Sequence, residues 1–349
     1  MELQVAQPGK TTQSLSPIRR WLYLLTGLLI GGVFLYLTAR NVDLHEVMGA
    51  IYAIKSWWLL PLTLIYILNV ALRGVRWRLM FPDESRPSLR HAVDAFLIGK
   101  VGNNFMPGRI GELLRAGVVG RLLPKVGLSG SLATIVVEKI FDAFAILILL
   151  GIALLSAPLP LWVNNAGISM IVTFPALLLA LWVMDRAGAR SMYSSGTDST
   201  AGVINRAKGL VFAIFQKFST GLYALRTVQH FALLSAITLI IWSGEVIVML
   251  ICLQAFSISV PFMAAVVSLV FLCVGSMLPA APGFIGTYQL FIVAALQLYE
   301  VSETNAFALS VFLNLYVIVM TSILGVVAVL IDGGLVNFRQ VFASASKKA

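Results

Sequence analysis

The sequence predicts an all-α polytopic membrane protein, and three observations carry that prediction. Hydrophobic residues make up 59% of the 349 and charged residues only 11%, whereas soluble globular domains hold about 45–50% and about 25%. The apolar residues gather in runs of about 20, the length that crosses ~30 Å of hydrocarbon at about 1.5 Å per helical residue. The remaining charges, 25 Lys and Arg against 15 Asp and Glu, are unevenly divided between the two sides of those runs. A transmembrane β-barrel would show short alternating strands instead, because open sheet leaves backbone groups unpaired in lipid.

Six full transmembrane helices are expected, at about 21–39, 57–73, 131–154, 168–184, 230–254 and 306–331. The first follows Lys10, Arg19 and Arg20 as a signal peptide would, but its apolar stretch is long and no A-x-A-like cleavage site follows. It is therefore expected to be an anchor. Basic residues set the orientation: 3 precede the first span, 10 lie from Arg73 to Lys125, 6 from Arg186 to Arg226 and 3 in the tail, against only Arg40 and Lys55 on the other side. Residues 1–20 and 332–349 are then cytoplasmic tails around a membrane domain at 21–331. The expected location is the cell inner (plasma) membrane, with several passes and both termini cytoplasmic.

Two further apolar stretches, about 92–121 and 262–299, are interrupted by Pro and Gly. By the charge count the first begins and ends on the cytoplasmic side and the second begins and ends outside. Each is expected to be a re-entrant broken hairpin, giving eight hydrophobic units; two ordinary spans in each stretch keep the same parity and stay open as an alternative. Residues 107–111 read P-G-R-I-G and residues 282–286 read P-G-F-I-G, 175 residues apart with three expected spans between them. An odd number of crossings inverts the second copy, so an inverted repeat is predicted, with repeat A at about 21–155 and repeat B at about 168–331. Pro107 suits a first helical turn, and Gly108 and Gly111 permit close approach; Pro282, Gly283 and Gly286 repeat the pattern. A half-helix after such a break presents free N–H groups that favour an anion. A kinked packing helix is the plainer reading.

Charges fall inside these segments. The first hairpin holds Lys100, Asn103, Asn104, Arg109, Glu112 and Arg115, and an ionisable group at the bilayer centre costs about 2.5–3.5 kcal/mol on insertion scales. Glu112 can pair with Arg109 or Arg115 at a spacing of three, leaving one guanidinium over. Arg73 and Arg76 share a face at the end of the second span beside Trp77, either as forks for phosphate or as interfacial anchors; Arg78 reads as an anchor. Glu138 and Asp142, with Lys139 between, sit four apart on the third span and repel each other unless a cation lies opposite. Glu245 on the fifth span is a lining or proton-coupling candidate, or half of a buried pair. Phe212, Phe215, Phe218 and Leu222 recur at helical spacing in a basic loop, as an interfacial helix or one packed on the bundle.

Several classes are excluded. Cys252 and Cys273 lie inside apolar runs, His45, His91 and His230 share no ligand spacing, and no G-x-x-x-x-G-K-[ST] occurs. No metal and no cofactor are expected, and any energy comes from an ion gradient or a partner.

The stretches G-N-N-F-M-P-G-R-I-G-E-L-L-R, E-K-I-F-D and P-A-A-P-G-F-I-G-T-Y-Q together resemble the lysylphosphatidylglycerol synthase transmembrane region, a flippase-like family. The resemblance spans nearly the whole chain and implies lipid handling. Bifunctional members move an aminoacylated phospholipid between leaflets, and relatives are associated with polyprenyl-linked sugars or hopanoids. It carries the family's motif positions onto Arg73, Arg76, Pro107, Arg109, Gly111, Glu112, Arg115, Glu138, Asp142, Pro282, Gly283 and Gly286. Many members have Glu where this chain has Gln289, which weakens a cationic headgroup contact from the second hairpin. About 18 residues follow the last span, so no aminoacyl-transferase domain, and no enzyme, is expected.

The expected function is translocation of an anionic, aminoacylated or polyprenyl- or hopanoid-type lipid. Its substrate-binding set is Arg73, Arg76, Asn103, Asn104, Arg109, Glu112, Arg115, Glu138, Asp142, Glu245 and Gln289. The alternatives are a membrane enzyme or enzyme subunit acting on a lipid phosphate, with Glu112 or Asp142 as acid or base, and a pathway scaffold. The expected partners are membrane lipids with a phosphate headgroup and a lipid-biosynthesis enzyme, not nucleic acid; the oligomeric state stays open.

Overall fold

The computed structural model describes residues 17–106, 110–156, 159, 161, 163–165, 167–173, 227–276, 278 and 281–331. Within them the chain is helical, with no strand. Ten α-helices organise it: α1 (Pro17–Ala39), α2 (Leu44–Tyr52), α3 (Leu59–Leu79), α4 (Leu89–Phe105), α5 (Ile110–Leu122), α6 (Gly127–Ser156), α7 (Val228–Ala255), α8 (Phe262–Gly275), α9 (Thr287–Gln297) and α10 (Glu303–Ile331). Residues 167–173 are helical as well. Most of the expected span at 168–184, the stripe at Phe212–Leu222, both tails and Pro107, Gly108 and Arg109 lie outside the described residues.

Helix starts follow local chemistry. Asp43, Ser88 and Thr227 precede α2, α4 and α7, and each side chain accepts a backbone N–H of the first turn, from His45, His91 and His230. Among the described residues three helices are long and apolar enough to cross a bilayer: Ser56–Leu79, which joins a short 3-10 turn to α3, then α7 and α10. The 30 residues of α6 span ~45 Å at helical rise. The short helix α2 is an addition to the sequence reading, and its Asp43 cap and Glu46 in the first turn were its available signals.

The two interrupted stretches form helix pairs, α4 with α5 and α8 with α9. Their limbs have 17, 13, 14 and 11 residues, each below the roughly 20 that a crossing needs. Glycines seat the first pair: a Cβ on Gly102 would come 2.8 Å from Gly111 Cα, and one on Gly99 would come 3.0 Å from Gly111 O. Small residues let backbones approach where lipid supplies no hydrophobic drive between helices. In the second pair Gly283 (φ 67°) and Gly286 (φ 85°) take left-handed backbone in the turn before α9. A Cβ at Gly286 would strike the carbonyl oxygen of Gly31, so α1 lies directly on that turn.

The larger apolar core joins α7, α8, α9 and α10 around Met249, Leu253, Val267, Ile292, Leu296 and Leu309. A second core joins the end of α3 to α4, α5 and α6 around Trp77, Phe81, Ile98 and Phe141. Hydroxyls stitch α3 to α10, with Thr63 Oγ1 2.8 Å from Tyr316 Oη and Tyr66 Oη bonded to Thr321 Oγ1. The end of α4 meets the turn before α9: a Cβ on Gly283 would lie 3.6 Å from Asn104 O. The two breaks therefore adjoin.

Candidate functional site

Three helices each present polar residues at spacings that keep them on one face. These are Asn69, Arg73 and Arg76 on α3, Thr134, Glu138 and Asp142 on α6, and Thr238, Trp242 and Glu245 on α7. Folding turns the three stripes toward one another, and α5 adds Glu112 and Arg115.

Arg76 is the centre of this group and is 0% exposed. Its Nη1 donates to Asp142 Oδ1 at 2.7 Å and to Thr238 Oγ1 at 3.0 Å, and its Nη2 donates to Glu138 Oε1 at 3.3 Å. The indole N–H of Trp242 donates to the same Asp142 oxygen at 3.2 Å. Arg115 Nη2 lies 2.8 Å from Glu138 Oε2, an ion pair whose angle falls short of a hydrogen bond. The guanidinium of Arg115 stacks over Trp77 with its carbon 3.7 Å from the ring centroid, and Phe96 lies 5.1 Å away. Trp77 is held by its own N–H donating to Thr134 Oγ1 at 3.0 Å. The mutual repulsion expected between Glu138 and Asp142 is thus answered by Arg76, with Arg115 on the far side of Glu138.

Two outer pairs flank this buried centre. Arg73 Nη2 donates to Glu245 Oε1 at 2.8 Å, and Asn69 Nδ2 reaches the same oxygen at 3.5 Å. Lys139 Nζ lies 3.1 Å from Glu112 Oε1. The Glu245 and Glu112 side chains are 32% and 31% exposed, against 3% for Glu138. Buried pairs are locked by desolvation if they are broken, whereas part-exposed pairs exchange partners at small cost.

The sequence reading needs correction at four residues. Glu112 does not pair with an arginine of its own helix; it goes to Lys139 on α6, because α5 turns Arg115 inward to Glu138. Arg76 and Trp77 are not interfacial anchors, since both are fully buried. Gln289 is used up inside its hairpin: its Oε1 accepts Gly286 N–H at 2.7 Å and its Nε2 donates to Asn314 Oδ1 at 3.3 Å, while Asn314 Nδ2 donates to Gly283 O at 3.0 Å. Asn103 acts likewise in the first hairpin, its Oδ1 accepting Gly111 N–H at 3.0 Å. Asn104 Nδ2 is buried with no hydrogen-bond partner among the described residues. Thr238 and Trp242 were missed, although their spacing from Glu245 was a readable signal.

The helices and the charge cluster define a helical membrane protein with an ionic centre set between its interrupted segments. The chain belongs to the family of the lysylphosphatidylglycerol synthase TM region, whose model matches residues 24–325. No curated protein and no solved structure matches the chain.

Proposed function

We propose that the chain is a lipid translocator moving an anionic, aminoacylated or polyprenyl- or hopanoid-type lipid between leaflets. In this reading α4–α5 and α8–α9 are re-entrant dips related as an inverted repeat among six full spans, with both termini cytoplasmic in the inner membrane. The lipid crosses unchanged, and its supplier is the enzyme that makes it.

The observation that carries the reading is the ionic cluster assembled from α3, α5, α6 and α7 beside two adjoining helix breaks. Charges at membrane depth contribute little to stability, and a chain that needed only to pack would fill that space with apolar side chains. The part-exposed pairs Arg73–Glu245 and Lys139–Glu112 leave one oxygen of each acid without a cation partner, so a headgroup can exchange with them. Limbs too short to cross, meeting at their breaks, support two half-structures that rock about a common site. Membership of the family supports a lipid-related role.

Purified protein in liposomes carrying labelled phosphatidylglycerol, lysylphosphatidylglycerol or a polyprenyl phosphate tests the proposal through the leaflet accessibility of the label. The wild type is expected to move one of the three. Arg73→Ala is expected to slow that movement about tenfold, the worth of one charge-assisted hydrogen bond. If none of the three moves, and Arg73→Ala and Arg109→Ala match the wild type, the reading fails.

A further inference from the structure

The charges of the cluster do not balance. Arg73, Arg76, Arg115 and Lys139 are each matched to Glu245, Asp142, Glu138 or Glu112. One more cation stands among them. Lys100 projects from α4 after five consecutive buried residues, Ala95 to Gly99, and is itself exposed. Among the described residues it makes no ion pair and no hydrogen bond; its one close contact is the Phe96 ring, 5.9 Å from Nζ to centroid.

This exposure does not open onto the outer surface. Charges of three other helices act on the ammonium: Arg73 of α3, Glu245 of α7, and Lys139 and Asp142 of α6. On its own helix the nearest acid in sequence, Asp94, lies 3.8 Å from Arg90. Glu245 and Asp142 already hold Arg73 and Arg76. Lys100 is therefore a cation in a recess between helices, with every nearby carboxylate engaged.

We infer that Lys100 is the anchoring cation for a phosphate-type oxyanion that enters this recess, with Arg73 as its neighbour from α3. Arg76 and Arg115 are not the phosphate ligands, since their guanidinium groups are spent on Glu138 and Asp142 or stacked on Trp77. A compact ammonium with three rotatable donors suits an oxyanion that must be released again, where a bidentate arginine fork would hold it longer. The inference rests on the translocator reading for the lipid nature of the ligand. The Lys100 site itself does not.

The test uses the full chain in nanodiscs of phosphatidylglycerol, with retained lipid counted by native mass spectrometry after transfer to detergent. Lys100→Met is expected to retain about tenfold less lipid than the wild type, and Lys100→Arg to stay within about threefold. Both variants should melt near the wild type, because no ion pair is lost. Labelling of wild-type Lys100 by a small amine-reactive reagent gives a second readout without substitution, and is expected to be slow with phosphatidylglycerol and fast in lipid-free detergent. Equal retention by Lys100→Met, or labelling indifferent to lipid, overturns the site. Displacement of the protection by millimolar inorganic phosphate assigns the site to free phosphate as well, and no displacement assigns it to the lipid. If the wild type binds through Lys100 but moves no lipid between leaflets, the translocator reading falls and the site stands. If Lys100→Met moves lipid as fast as the wild type, the site falls and the reading stands.

Discussion

The two helix pairs α4–α5 and α8–α9 solve one structural problem with different chemistry. In the first, the limb after the break is tied to the next long helix by charge, Arg115 to Glu138 and Glu112 to Lys139. In the second, the corresponding limb is tied by neutral amides, Gln289 to Asn314, with Asn314 reaching back to Gly283 O. Lys139 and Asn314 stand 175 residues apart, the spacing of Pro107 and Pro282. A buried amide bridge therefore suffices to hold such a limb on its neighbour, and the charges of the first pair exceed what packing requires. This places the chemistry of the molecule in its first half and leaves the second half as a dry, apolar counterpart.

Substitutions can break or sharpen that contrast. Arg76→Ala should have the largest effect, because it strands Glu138 and Asp142 without their shared cation; a loss of about 3–5 kcal/mol is expected, read as a collapse of thermal stability in detergent. Gly111→Ala and Gly286→Ala should both destabilise by about 1–3 kcal/mol through overpacking, since each new methyl would meet a carbonyl oxygen, of Gly99 or of Gly31. Similar losses in the two would show that the backbone plan is shared even though the chemistry is not. Asn314→Leu should cost about 1–3 kcal/mol by leaving Gln289 and Gly283 O unpaired, while leaving lipid retention unchanged; reduced retention would end the assignment of the second pair to structure alone. Glu112→Gln should be the mildest, about 0–1 kcal/mol in melting because its pair is part-exposed, so any clear change in lipid movement would mark a functional role.

Much of the architecture was legible in the chain. The limits of α3, α7 and α10 follow from apolar runs, and the interruptions near 107 and 282 follow from Pro and Gly, because bilayer thickness and backbone restriction act through neighbours in sequence. The stripe Asn69, Arg73, Arg76 was half seen, and Thr238, Trp242, Glu245 passed unnoticed beneath a single acid. Arg76 and Trp77 were ambiguous for a physical reason: Arg beside Trp at a helix end reads the same whether the helix meets headgroups or other helices.

The sequence by itself determined that this is a helical membrane protein, where its helices run, and which charged residues lie at depth. Only the tertiary structure decided who pairs with whom. Glu112 turned to Lys139, Arg115 slid between Trp77 and Glu138, Gln289 closed its own turn, and Lys100 was left over. Spacing along one helix fixes which face a side chain occupies, but the partner depends on how that face is rotated against others hundreds of residues away. That rotation is set by the whole bundle packing at once.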